Sequence, residues 1–329
     1  MAKYPRGKKV EPAVMTMTFA TPGTAAGDFT IDLSQSASLL NRRFYRQGIN
    51  WVVDSFKFFS SSAGGITVGK IPTTWTFFNA YKKGFETWQK MNNEALAESE
   101  SVRPKFLDFK IFADEVHHSA GFANNLLPID SGSVAAVVGE WEPSSVHVPF
   151  GPASAGNTTE LKIKAVGANY NGGTAGVVSL IDGYAASRGL PYQTDPNTPG
   201  DADDASGSTP ENWMSALHNS GTDQDTQVLQ DMILENNKAP YPFEGDGTAV
   251  DTQYPGGANQ LPNLEYHDAV QLFASSANQV GTRMGKGGIF PAGLVRVVWA
   301  PESAANLVIQ VNMVPGDHRG YLCEPTLEA

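Results

Sequence analysis

Cysteine occurs once, at Cys323. No intrachain disulfide can hold this fold together, so nothing ties it to an oxidising compartment. No run reaches the roughly 18 apolar residues of a membrane-spanning helix. The opening stretch, MAKYPRGKKVEP, is basic with no apolar segment behind it, which predicts no secretory signal. Charge is scarce too, at 17% of residues, where an ordinary globular domain has about 25%. That argues against a helical scaffold rich in Glu and Lys. Several catalytic signatures are missing. The chain has no G-x-S-x-G elbow, no phosphate loop of the G-x-x-x-x-G-K-[ST] type, no H-E-x-x-H and no C-x-x-C.

Glycine and proline are abundant, at 33 and 21 of 329 residues. Frequent chain breakers with few charges describe a β-rich protein with many turns. The charge is also sorted by position. Residues 1–110 carry 15 Lys and Arg against 9 Asp and Glu, while the whole chain has a net charge of −11. A basic N-terminal third is thus joined to an acidic remainder, as in a protein whose two faces meet different partners. The basic part suits a polyanion.

Strand-like runs recur along the chain. Met15 and Met17 alternate with Thr16 and Thr18 in the run Val14–Ala20, the period of a half-buried strand. Further strands are expected at 29–33, 49–59, 66–71, 106–112, 134–141, 146–150, 161–166, 269–274, 293–299 and 307–314. One long helix is expected over 74–96, where Phe78, Tyr81, Phe85, Trp88, Met91 and Ala95 step by three or four. Shorter helices are expected at 223–236 and from Pro210. Residues 183–265 are rich in Pro, Gly, Asp and Asn, and read as an elaborated acidic surface insertion. The expected organisation is a basic arm at 1–12 followed by one domain at 13–329 that carries this insertion.

The remaining candidates for chemistry are sparse. Gly285-Lys286-Gly287-Gly288 leads into a strand rather than a helix, so it reads as a turn and not a phosphate cradle. Asp114, Glu115, His117 and His118 form a dense group of metal-capable side chains. On a strand, adjacent histidines would point to opposite faces and could not share an ion. Asp201, Asp203 and Asp204 begin like a calcium loop, but Ala205 and Ser206 stand where a ligand and a glycine are needed. Asn157-Thr158-Thr159 matches a glycosylation sequon, which without a secretory signal reads as chance. No catalytic residue, metal or cofactor is expected.

The basic groups are different in kind. Lys3, Arg6, Lys8 and Lys9 sit in a short tail that can anchor phosphate without fixed geometry. Arg42, Arg43 and Arg46 place three guanidinium groups beside Phe44 and Tyr45. Guanidinium binds phosphate bidentately, and aromatic rings stack on unpaired bases. The other reading of this cluster puts the rings in the core and the arginines in salt bridges between subunits.

With these residues in view, the chain resembles the capsid proteins of small circular Rep-encoding single-stranded DNA viruses (the CRESS-DNA type). The stretches that carry the likeness are NRRFYRQGINWVV (41–53), MNNEALAESESVRPKFLDFKIFAD (91–114), GYAASRGLP (183–191), GGIFPAGLVRVVW (287–299) and VIQVNMVPGDHRGYLCEP (308–325). The resemblance implies an all-β fold, a single antiparallel jelly-roll sandwich with a few helices in inter-strand loops. It also implies self-assembly into an icosahedral shell around a single-stranded DNA genome, bound without regard to sequence. On this reading the protein is not an enzyme and resides in the virion. It is made inside the host cell, and its acidic loops face outward toward a host receptor. Many such capsid proteins have a long arginine-rich arm, whereas only a few basic residues precede Glu11 here. Two other classes compete. A carbohydrate-binding or adhesin β-sandwich would use the Trp and Tyr residues as sugar platforms. A cupin-like enzyme would need a clustered metal set, yet His218, His267 and His318 are scattered.

Overall fold

A computed structural model describes residues 11–23, 26–97, 101, 108–149, 158–168, 176–188, 213–214, 263–273 and 281–328. In chain order the strands and helices begin with β1 (Thr16–Ala20), β2 (Gly27–Asp32), α1 (Leu33–Asn41), β3 (Ile49–Ser60) and β4 (Gly64–Lys70). There follow α2 (Trp75–Ala97), α3 (Glu115–Ala120), β5 (Ser145–Pro149), β6 (Thr158–Lys164), β7 (Val177–Ser179) and α4 (Leu180–Arg188). The series closes with β8 (Glu265–Leu272), β9 (Gly281–Phe290), β10 (Leu294–Pro301), β11 (Leu307–Met313), β12 (Pro315–Gly316), β13 (Gly320–Tyr321) and β14 (Cys323–Pro325). The described chain is mostly β. It divides into two compact units, residues 1–71, 120–141 and 265–329 in one, and 72–119 and 142–264 in the other. The expectation was one domain at 13–329 with an insertion at about 183–265, a stretch that falls in the second unit up to Leu264. The second unit begins at Pro72, two residues after β4 ends.

The first unit is a sandwich of antiparallel sheets. One sheet runs β1-β11-β3, with β9 and β14 both on β3, and the other runs β2-β10-β4-β8. Along β1, β3 and β11 buried side chains alternate with more exposed ones, and the inner rows meet. Met17 and Phe19 of β1, Phe56 and Phe58 of β3, and Ile309 and Val311 of β11 share one core with Ile31, Ile66, Val68, Val295 and Val297 of the second sheet. Burying a side chain of this size contributes about 1.5–3 kcal/mol. The wet face is laced laterally. Thr16 Oγ1 donates to Asn312 Oδ1, and Asn312 Nδ2 donates to Ser55 Oγ.

Several expected strands stand elsewhere or not at all. Residues 134–141 are irregular, with one bridge from Ala135 to Ile129. Of 106–112, the described part from Asp108 bears buried Phe109 and Ile111 but joins β6 only through a parallel bridge from Phe112 to Lys164. Gly285–Gly288 is not a turn but the middle of β9. Its glycines are there because a neighbour occupies the Cβ position. A Cβ at Gly287 would collide with the Asp54 carbonyl, and one at Gly285 with the ring of Phe58. Asp54 sits at a register shift of β3 against β11, where the strand bulges and needs this room.

Helix α1 follows β2 without a loop. Asp32 is its N-cap, accepting from the Ser34 N–H at 2.9 Å and the Gln35 N–H at 3.1 Å. The other carboxylate oxygen accepts from Gln47 Nε2 at 3.0 Å and Trp141 Nε1 at 2.9 Å. Asp32 is 1% exposed, and burial pushes its carboxyl up to about 6 against the pull of those four donors.

In the second unit, α2 buries Phe77, Ala80, Tyr81, Gly84 and Trp88. The buried stripe is thus rotated from the expected one, leaving Phe78 and Phe85 half-buried on its flanks. Phe109 packs against Tyr81, Phe85 and Trp88 at ring separations of 5.3–5.7 Å. Gly84 leaves room for Leu180 of α4. A three-stranded sheet, β5-β6-β7, completes the unit. Of the helix expected from Pro210, only Trp213 and Met214 are described, and both are helical and buried. The helix expected at 223–236, and most of 183–265, lie outside the described residues.

Candidate nucleic-acid interface

The arginine turn is built by one buried ring. Helix α1 ends where Arg42 adopts the left-handed region at φ 51°, reversing the chain. Asn41 braces the end. Its Nδ2 donates to Tyr321 Oη at 2.8 Å, and its Oδ1 accepts from the Val14 N–H. Three residues on, Tyr45 sinks into the sandwich between Trp51 and Tyr321, at ring separations of 5.7 and 5.6 Å. Its N–H donates to Ser38 Oγ at 2.9 Å, and its hydroxyl donates to the Arg319 carbonyl at 3.0 Å. With Tyr45 held inside, the flanking Arg42, Arg43 and Arg46 are exposed.

Tyr45 therefore cannot stack on a base. Its ring is 1% exposed and belongs to the core. Phe44 is half-buried, 6.4 Å from the ring of Trp141. The other reading of the cluster, with its rings in the core, thus holds for Tyr45, while Phe44 is half-buried at the edge of the turn.

The structure adds a fourth cation that local sequence reading misses. Arg319, between β12 and β13, is exposed and donates from a guanidinium nitrogen to the Phe44 carbonyl at 2.6 Å. It too is left-handed, at φ 50°. Two of the four non-glycine residues with positive φ among the described residues are thus arginines of this patch. Each such backbone costs about 1 kcal/mol or more, and such outliers gather at binding sites. Arg43 and Arg319 both act on the Tyr45 hydroxyl, partly offsetting the rise that burial gives it. His318 is lowered, by burial first and then by Arg319, so it stays neutral at pH 7 and leaves the positive charge to the arginines. The D-H-R-G sequence before β13 was the available signal for Arg319, since it marks a turn with an exposed cation.

One acid enters the patch. Glu11 Oε2 lies 2.7 Å from an Arg43 guanidinium nitrogen, with both side chains largely exposed. A pair so exposed is worth little to stability, so a phosphate can displace the carboxylate. Glu11 is also where the described chain begins. Lys3, Arg6, Lys8 and Lys9 precede it in sequence and lie outside the described residues.

The other candidates resolve into structure. Asp114, Glu115, His117 and His118 stand at and in helix α3, not on a strand. Asp114 Oδ1 accepts the His117 N–H at 2.9 Å, and buried His117 uses Nδ1 to accept the Ala113 N–H at 3.0 Å. Glu115 meets the fully buried Lys164 at 2.8 Å. Among the described residues no three His, Cys, Asp or Glu side chains converge as a metal set. Asp201, Asp203 and Asp204 lie outside the described residues. The Cys323 thiol is pushed up to about 12 by burial, so it is not a ready nucleophile. No described helix is long and apolar enough to cross a membrane.

No protein-family model, curated protein or solved structure matches this chain.

Proposed function

We propose that this protein is a viral coat protein, a jelly-roll subunit that assembles with its own copies around single-stranded DNA and performs no catalysis. One observation carries the reading, the mirrored pairing of the sandwich strands. β1 pairs with β11, β2 with β10, β3 with β9 and β4 with β8, all antiparallel. Such pairing is what a long hairpin of strands folded back over itself would give, which supports the jelly-roll reading, and the long excursion between β4 and β8 fits the large loops of coat proteins. Jelly rolls also serve lectins and cupins. The exposed arginine patch and the basic residues ahead of Glu11 favour a polyanion over a sugar.

In this reading the arginine patch and the tail face the packaged DNA. The acidic stretch at 183–265 would be repelled by that DNA, so it faces outward, where a host receptor would meet it. The four arginines recognise phosphate and not bases, so binding is nearly indifferent to sequence. Negative-stain microscopy of the expressed protein, with and without single-stranded DNA, tests the proposal. Uniform closed particles support it. A protein that stays monomeric across salt and concentration refutes it, and glycan binding by that monomer would point to the carbohydrate-binding class.

A further inference from the structure

The sandwich does not end at β1. The Ile129 N–H donates to the Thr18 carbonyl at 2.8 Å, and Pro128 bridges Phe19, so residues 128–129 continue the sheet beyond its edge. The chain then turns at Asp130, whose Oδ1 accepts the N–H groups of Gly132 and Val134. It returns antiparallel, with the Asp130 N–H donating to the Val134 carbonyl and the Ala136 N–H to the Pro128 carbonyl, at 3.0 and 2.9 Å. In that register the backbone groups of Val134 and Ala136 point inward. Those of Ala135 point away from the sheet, and extending the same alternation one residue past Ala136 sends those of Val137 the same way. The backbone groups of neither residue have a hydrogen-bond partner among the described residues. Val134 is 64% exposed and Val137 is 83% exposed. Residues 131–139 (SGSVAAVVG) contain no charge and no proline. An open, uncharged edge of β-branched residues is what folded proteins normally cover or blunt.

We propose that this edge pairs with the same edge of a second copy of the chain. The occupant follows from self-complementarity. Placing a two-fold axis at Ala136 sets Ala135 against the partner's Val137, and Val137 against the partner's Ala135. Both are hydrogen-bonded pairs, so four N–H···O=C bonds form with no group left over. The residue on the axis is alanine, small enough for two strands to close, and the contact is isologous. The chain has a net charge of −11, so copies repel over most approaches, and a charge-free stretch is where they can meet. The contact holds for a free dimer as well as for a shell, so it does not depend on the coat-protein reading.

Cross-linking tests it. In the two-fold register, Ala136 and its copy form a non-hydrogen-bonded pair with Cα atoms about 4.5 Å apart, within disulfide reach. With Cys323→Ser to remove the native thiol, Ala136→Cys should give a disulfide-linked dimer under mild oxidation. Glu302→Cys, at an exposed turn, should not. Adding Val137→Lys, which sets a cation on each strand beside the axis, should cut the cross-linking rate at least tenfold. Equal cross-linking at 136 and 302, or no effect of Val137→Lys, overturns the proposal. Should Ala136→Cys fail to fold by circular dichroism, sedimentation of Val137→Lys alone decides. The association constant should fall at least tenfold, and an unchanged constant overturns the pairing. Closed particles without a 136 cross-link would sink the edge and keep the coat protein. A cross-linked dimer that never forms particles would do the reverse.

Discussion

Asp32→Asn should change how stability depends on pH, in a direction the structure dictates. The carboxylate is buried at the start of α1 and receives four N–H donors, from Ser34, Gln35, Gln47 and Trp141. Those donors favour the ionised form, but burial disfavours it more, and the group rises from 3.8 to about 6. A raised carboxyl binds its proton more tightly in the folded state than in the unfolded chain. Between pH 4 and pH 6 the folded state therefore holds the extra proton, and stability contributed by this group is lost as pH rises through that window. The shift corresponds to about 3 kcal/mol at 1.36 kcal/mol per pH unit. Asparagine has nearly the same shape and cannot ionise. Urea titrations of parent and variant at each half pH unit isolate the effect, because every other titrating group is shared and cancels in the difference. Relative to the parent, the variant should gain about 2 kcal/mol from pH 4 to pH 7, most of the full shift. Parallel curves would show that the four donors fully offset burial. A gain by the parent instead would show that they exceed it, and the reasoning would fail in sign.

Other expectations concern the patch and the sheet. Replacing Lys3, Arg6, Lys8 and Lys9 with Ala should flatten the salt dependence of single-stranded DNA binding by up to about 3 units, at about 0.7 per phosphate contact. An unchanged slope would leave the arginine turn as the anchor. Glu11→Gln frees Arg43 from its carboxylate, so affinity for DNA should rise at low salt and the slope steepen by about 0.7. Filter binding at four salt concentrations would detect a fall instead, which would mean that Glu11 positions the arginine. Gly287→Ala forces a methyl against the Asp54 carbonyl and should destabilise the protein by about 1–3 kcal/mol or more. A denaturant midpoint equal to the parent's would show that the bulge on β3 yields.

Local pattern located most of the sandwich. Met17 and Phe19 against Thr16 and Thr18, and the long aromatic run of β3, are legible because a strand with one wet face must alternate. Helix α2 was visible from its period, though only packing against α4 decided that Gly84 faces inward and that Phe78 and Phe85 are left half-buried on the flanks. Helix α1 was missed although Leu33, Ala37 and Leu40 step by four and three onto the core and Asp32 followed by Gln35 is a capping signal, because the serines between them are equally at home in turns. Strand β9 was hidden because its glycines look like a turn. They are imposed by Asp54 and Phe58, neighbours that only strand pairing brings near. Among the candidate binding groups, Arg42, Arg43 and Arg46 stand together in the sequence as they do in the fold. Arg319 joins them through the return of the chain after β11, and Tyr45 leaves the surface because Trp51 and Tyr321 enclose it. Composition and period act between neighbours along the chain, so the sequence alone determined a β-rich protein with a basic first third. The mirrored strand order, the four-arginine patch and the open edge at Ala135 and Val137 depend on residues far apart in sequence, and only tertiary packing decided them.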